Sequence, residues 1–142
     1  MTLPNPNSRL ILAVEDRPQL VINQFRFSSG LEEMGFTLHD EMPATQEDAI
    51  RLTKELNPGL ILMDSDLDQE YSGLDVWKAL REAGFEGVVL MNSQSGFAEF
   101  QYEVRRTSPG WNDPNFKLEF DVSKRSGDLR FVLSRLVEQG LV

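Results

Sequence analysis

Residues 60–67 read LILMDSDL, in which a run of four large apolar residues ends at Asp64-Ser65-Asp66. The run lacks the alternation of apolar and polar positions that a half-exposed strand shows, so it predicts a strand buried on both faces. Asn57-Pro58-Gly59 precedes the run and ends the helical pattern before it. Strands buried on both faces occur in parallel sheets that helices cover on both sides.

Other apolar runs of strand length alternate with helical patterns along the chain. The runs are residues 10–14, 36–40, 88–91 and 118–122. Together with residues 60–63 they predict five strands, each followed by a helix. We therefore expect the α/β class, with a doubly wound five-stranded parallel sheet in the flavodoxin-like order 2-1-3-4-5 and helices on both faces.

The helical patterns lie between these strands. The first begins at Pro18 and reaches Met34, with Ser28-Ser29-Gly30 as a weak point, and Thr45 opens the second in a sequence that resembles a capping box. The others are predicted around residues 74–80, 96–106 and 129–137. We expect residues 1–8 to form a flexible leader and residues 9–142 to form a single domain.

The composition excludes several classes of function. The 142 residues include no cysteine, which excludes thiolate metal sites and cysteine nucleophiles. They include one histidine, His39, which disfavours a Ser-His-Asp triad. Acidic residues number 23 against 14 basic ones, and the net charge of −9 argues against nucleic acid or anionic lipid as a partner. No apolar run is long enough for a membrane span, and the N-terminus lacks a secretory h-region, so we expect a cytoplasmic protein.

Polar residues follow the predicted strands at the edge where open α/β sheets bind ligands. They are Glu15 and Asp16 after the first strand, Asp64 after the third, Ser93 after the fourth and Lys124 after the fifth. Three carboxylates in one crevice repel each other unless a cation lies among them, and hard oxygen ligands favour Mg²⁺. A carboxylate beside Mg²⁺, an ammonium group and a hydroxyl can form an aspartyl phosphate.

Each of these residues also has a simpler explanation. Asp16 lies just before Pro18 and can cap a helix, and Asp64 can be a turn residue after a strand. Ser93 and Lys124 can be ordinary solvated side chains. The hypothesis of a phosphoryl site therefore depends on all of them occurring together at strand ends.

With these motifs the chain resembles the receiver domain of two-component response regulators. The segments that match are LILAVED (10–16), LILMDSDL (60–67), SGLDVWKAL (72–80), VVLMNS (88–93) and the lysine of DVSKR (121–125). The resemblance implies that Glu15 and Asp16 form the acidic metal pair and that Asp64 is the phosphoacceptor. It also implies that Asp66 offers a backbone carbonyl to the metal and that Ser93 and Lys124 contact the phosphoryl group.

A receiver of this kind would be a signalling domain and not an enzyme. The resemblance implies Mg²⁺ as the cofactor and a histidine kinase or phosphotransfer protein as the phosphodonor. Phosphorylation would switch a partner-binding surface around the predicted helix at residues 96–106, the last strand and the last helix. We expect a stand-alone module whose output passes through an unidentified protein, a homodimer or a larger assembly.

Departures from the family pattern keep two alternatives open. Asp68 and Arg125 stand where the family often has proline, and Asp121 stands where an aromatic switch residue is common. These departures favour a degenerate receiver that binds partners without being phosphorylated. Asp64-Ser65-Asp66 also resembles the nucleophile motif of haloacid-dehalogenase-type phosphatases, although in that family the motif usually follows the first strand.

Overall fold

A computed structural model of the chain describes residues 9–27, 30–64, 73–85, 87–93, 122–123, 128–138, 140 and 142. Its elements are β1 (Leu10–Val14), α1 (Pro18–Phe27), β2 (Thr37–Leu38), α2 (Gln46–Leu56), β3 (Leu60–Asp64), α3 (Gly73–Glu82), β4 (Val88–Ser93), β5 (Val122–Ser123) and α4 (Asp128–Glu138). The expected leader at residues 1–8 and the expected helix at residues 96–106 lie outside the described residues. Within the described ranges, no helix has both the length and the hydropathy that a membrane span requires.

The strands form a parallel sheet in the order β2-β1-β3-β4-β5. β3 lies between β1 and β4, with Val14 of β1 paired to Met63 and Asn92 of β4 paired to Asp64. β5 is described for two residues and pairs with the end of β4. The predicted parallel α/β class is therefore confirmed, and the predicted strand runs at residues 10–14, 60–63 and 88–91 are all strands.

Successive residues of the central strands belong to two separate hydrophobic cores. The core under α2 and α3 contains Leu12, Val14, Ile61, Met63 and Val89 from the strands. The core under α1 and α4 contains Ile11, Ala13, Leu60, Leu62, Val88 and Leu90. Since side chains alternate between the two faces of a sheet, the helices cover both faces, as expected from the fully apolar runs.

α1 is shorter than the helical pattern that begins at Pro18. It ends at Phe27, and residues 30–35 form turns in which Gly30 and Gly35 have φ angles of +87° and +90°. Such angles suit glycine and cannot continue a right-handed helix. Leu31 and Met34 still pack in the core under α1 and α4, so their spacing reflects burial and not a continuous helix.

α2 begins and ends at the residues that the sequence indicates. The backbone N–H of Asp48 donates to the Oγ1 of the N-cap residue Thr45 at 3.2 Å. At the other end, Asn57 adopts a left-handed conformation with φ 46°, and its N–H donates to the carbonyl of Thr53 at 2.9 Å. Both contacts satisfy backbone groups that the ends of a helix leave unpaired.

Candidate functional site

Three carboxylates meet at the carboxyl edge of the sheet. Glu15 and Asp16 directly follow β1, and Asp64 is the last residue of β3. Each offers a ligand oxygen, and these oxygens lie within 4.8 Å of one another. Oxygens bound to a single divalent cation at about 2.1–2.6 Å are separated by up to roughly 4–5 Å, so the spacing suits one such ion.

The register of β1 and β3 explains why residues distant in the sequence meet here. Val14 pairs with Met63, so the residues that follow them, Glu15 and Asp64, are level at the edge of the sheet. Ala13 and Leu62 precede these acids by two positions and belong to the core under α1 and α4. By the alternation of strand side chains, both carboxylates are therefore assigned to that same face.

The three carboxylates differ in their exposure to solvent. Glu15 is 1% exposed and Asp64 is 5% exposed, whereas Asp16 is an exposed residue. Burying a carboxylate costs free energy unless a partner compensates, and two buried carboxylates close together also repel each other. Three clustered carboxylate oxygens would suit a hard divalent cation, which would reduce their mutual repulsion.

The backbone at Glu15 is attached to a neighbouring loop. The N–H of Glu15 donates to the carbonyl oxygen of Pro43 at 2.9 Å, and Pro43 is itself buried in the loop between β2 and α2. Pro43 was not predicted as a site residue, because a contact through a backbone carbonyl has no signature in residue type. The sequence signal available for this loop is a proline, Pro43, two residues before the N-cap residue Thr45.

The remaining predicted site residues are placed less completely. Ser93 is the last residue of β4, and its backbone pairs with Ser123 of β5, so these strands end near the same edge. Lys124 directly follows Ser123 but lies outside the described residues, as does Asp66. The roles predicted for these two residues and for the side chain of Ser93 stay predictions. The departures at residues 68, 121 and 125 also lie outside the described ranges.

A separate cavity of about 260 Å³ lies between α2 and α3. Its wall includes Thr53, Leu80 and Phe85 but none of the three clustered acids. The Oγ1 atom of Thr53 is buried and has no hydrogen-bond partner among the described residues. The cavity is therefore distinct from the carboxylate cluster.

No family model and no curated protein matches the sequence. Solved structures do match it over almost its whole length. The signal receiver domain of a modulated diguanylate cyclase from Desulfovibrio desulfuricans is 22% identical, with a TM-score of 0.62 over 93% of this chain and 92% of that one. The CheY-like response regulator receiver domain protein from Methanospirillum hungatei is 13% identical, with a TM-score of 0.61 over 94% and 93% of the two chains. A LuxR-family two-component response regulator from Aurantimonas is 19% identical, with a TM-score of 0.65 over 93% and 84%.

The sheet order and the acidic edge define a doubly wound α/β protein with a candidate cation site. The comparisons make the fold more specific: this chain has the fold of response regulator receiver domains. The resemblance that the sequence motifs indicate is thus confirmed at the level of the fold.

Proposed function

We propose that this chain is a receiver domain for phosphorelay signalling that accepts a phosphoryl group on Asp64 in a Mg²⁺-dependent reaction. The observation that carries the proposal is the cluster of Glu15, Asp16 and Asp64 oxygens within 4.8 Å at the carboxyl edge of a receiver fold. The proposal includes one five-stranded domain over residues 9–142, a leader at residues 1–8 and a cytoplasmic location.

The residues of the cluster have separate roles in this proposal. Glu15, Asp16 and Asp64, with the backbone carbonyl of Asp66, would hold Mg²⁺, which supplies positive charge next to the phosphoryl oxygens. A carboxylate oxygen of Asp64 attacks the phosphorus, and the bond from phosphorus to the donor breaks as the new P–O bond forms. The donor group leaves with the electron pair of the broken bond.

Two further side chains complete the proposed site. The ammonium group of Lys124 would pair with a phosphoryl oxygen, and the hydroxyl of Ser93 would donate a hydrogen bond to another. Both interactions exist only after the phosphoryl group has arrived, so they favour the phosphorylated conformation over the free one. The proposed outcome is a shift in the partner-binding surface that the sequence predicts around residues 96–106, β5 and α4.

The proposed partners follow from this chemistry. The phosphodonor is a histidine kinase or a phosphotransfer protein, and the output passes to a protein that is not identified or to a second copy of the chain. Several matched structures come from proteins named as LuxR-family regulators or as a GGDEF-containing protein. We propose neither nucleic acid nor membrane as a partner of this chain, because its net charge is −9.

Intact mass spectrometry after incubation with Mg²⁺ and acetyl phosphate tests the proposal. We expect wild-type protein to gain one phosphoryl group and Asp64→Asn to gain none. Chelation of Mg²⁺ should prevent the gain, and Asp16→Asn should slow it. Glu47→Gln removes an exposed acid in the first turn of α2 and should behave as wild type. Phosphoryl gain by Asp64→Asn at the wild-type rate would refute Asp64 as the acceptor.

The second candidate is a receiver that binds its partner without phosphorylation. The departures from the family pattern at Asp68, Asp121 and Arg125 favour it, since these positions flank the predicted acceptor and lysine. Wild-type protein that binds Mg²⁺ but never gains a phosphoryl group would select this candidate. Sustained hydrolysis of a phosphomonoester that is lost in Asp66→Asn would instead select the phosphatase alternative.

A further inference from the structure

The loop between β2 and α2, residues 39–45, follows the edge of β1 as far as the acidic cluster. The N–H of His39 donates to the carbonyl of Ile11 at 2.9 Å, and the N–H of Glu15 donates to the carbonyl of Pro43 at 2.9 Å. Met42 packs against the core under α1 and α4. The loop is thus attached to β1 at two points, and the second point is a candidate metal ligand.

An ion pair joins the same loop to α2. The Nη2 atom of Arg51 donates to the Oε2 atom of Glu41 at 3.0 Å. The hydrogen bond from Arg51 to Glu41, and then the negative charge of that carboxylate, raise the pKa of Arg51 above its ordinary value. Arg51 also lies 3.6 Å from both Asp48 and Glu55 on its own helix, so Glu41 of the loop and two acids of α2 share one exposed guanidinium.

The Pro43 carbonyl holds Glu15 where the strand can no longer do so. β1 ends at Val14, so Glu15 lies beyond the last residue whose backbone belongs to the strand. The ring of Pro43 restricts its φ to about −65° and also disfavours the helical region for Met42. The segment that leads to the accepting carbonyl therefore has fewer backbone conformations available than one without proline.

We infer that Pro43 is a positioning residue for the metal site: its carbonyl fixes the backbone of Glu15 and so directs the Glu15 carboxylate toward Asp16 and Asp64. The Glu41–Arg51 pair supports this role by holding the loop against α2. The inference rests on the proposed Mg²⁺ site and adds to it a loop that contributes no ligand. Residues that orient metal ligands affect metal affinity although they never touch the ion.

Calorimetric titration with Mg²⁺ alone tests the role of Pro43. Pro43→Gly frees the backbone at this position, and we expect it to weaken Mg²⁺ binding about tenfold, within the range typical of residues that orient ligands. Pro43→Ala should weaken binding less. The matched control is Ala44→Gly, which loosens the same loop one residue later and should leave the affinity within about twofold of wild type.

Urea denaturation without Mg²⁺ separates positioning from folding. A merely structural Pro43 would lower the urea midpoint and leave the Mg²⁺ affinity of the folded protein unchanged, and that result would overturn the inference. If Pro43→Gly does not fold, Pro43→Ala decides by the same two measurements. If wild-type protein does not bind Mg²⁺, both the proposed metal site and the inference are overturned. If wild-type protein binds Mg²⁺ and the Pro43 variants bind it with the same affinity, the inference alone is overturned.

Substitutions in the Glu41–Arg51 ion pair test the inference independently, because a change of net charge and a loss of loop positioning have different effects on Mg²⁺ affinity. Glu41→Gln and Asp40→Asn each remove one negative charge from neighbouring exposed residues, but only Glu41 contacts Arg51. We expect Glu41→Gln to weaken Mg²⁺ binding more than Asp40→Asn does. Arg51→Gln removes a positive charge, which by charge alone would strengthen cation binding. Weaker binding by Arg51→Gln supports the positioning role, and stronger binding contradicts it.

Discussion

At the scale of single residues, Thr53 allows the effect of a buried hydroxyl without a partner on the free energy of unfolding to be measured. Its side chain is 6% exposed, and its Oγ1 atom has no hydrogen-bond partner within the described part of the chain. A buried polar group without a partner costs about 1–3 kcal/mol. Thr53→Val keeps the shape and removes the hydroxyl, so we expect it to raise the free energy of unfolding by about 1 kcal/mol.

Urea denaturation measures this difference, and Thr37→Val is the control. Thr37 is exposed in β2, where its hydroxyl can reach water, so the same substitution should change stability by no more than about 0.5 kcal/mol there. A loss of stability in Thr53→Val would contradict the prediction, because it would mean that the hydroxyl contributes a stabilising interaction.

Glu15 shows which properties of a site residue can be predicted from sequence. Its acidic type and its place after an apolar run predict a carboxylate at the ligand-binding edge, and the structure confirms its proximity to Asp16 and Asp64. Its almost complete burial and its bond to Pro43 were not predictable. Burial depends on loops that pack from elsewhere in the chain, and residue spacing carries no information about such packing.

At the scale of elements, the end of α3 depends on the backbone freedom of one glycine. Gly84 has a φ of +97°, and its N–H donates to the carbonyl of Arg81 at 3.1 Å. A Cβ atom added at Gly84 would meet no atom within 4 Å, so Gly84→Ala changes the backbone energy without a steric clash. We expect a loss of about 1–2 kcal/mol in the free energy of unfolding.

Thermal or urea denaturation checks this loss, with Gly84→Asn for comparison. Asparagine tolerates positive φ better than alanine, so it should be the less destabilising of the two substitutions. Equal stability of Gly84→Ala and wild type would show that α3 can end in another conformation.

The elements differ in how well the sequence predicts them. β1, β3 and β4 are buried on both faces or form the centre of the sheet, so their apolar runs are unambiguous. α1 is the opposite case, because Leu31 and Met34 continue its apolar spacing from a segment of turns. The periodicity of apolar residues indicates which residues are buried. A non-helical turn packed against the core can bury the same positions as a continuation of the helix would.

At the scale of the whole molecule, Mg²⁺ binding should appear as added stability. A ligand that binds only the folded state stabilises it by about 2.7 kcal/mol at a concentration one hundred times its dissociation constant. Relief of the repulsion between the buried carboxylates of Glu15 and Asp64 is one contribution to the free energy of cation binding. We therefore expect a higher urea midpoint in Mg²⁺ than in a chelator.

The comparison must be made at constant ionic strength, because salt alone screens a net charge of −9. Asp16→Asn should lose most of the increment, since it removes one of the three clustered carboxylates, whereas Asp40→Asn should keep it. Equal midpoints with Mg²⁺ and with a monovalent salt of matched ionic strength would contradict specific binding at the acidic edge.

β3, which carries Asp64 at its end, is hydrogen-bonded to a strand on each side and contributes to the cores on both faces. Its amide protons can therefore reach water only when the sheet itself comes apart, and they should be among the slowest to exchange with deuterium. Local unfolding at the surface does not displace a central strand of this kind. The backbone that carries Asp64 therefore keeps its position for as long as the sheet remains folded.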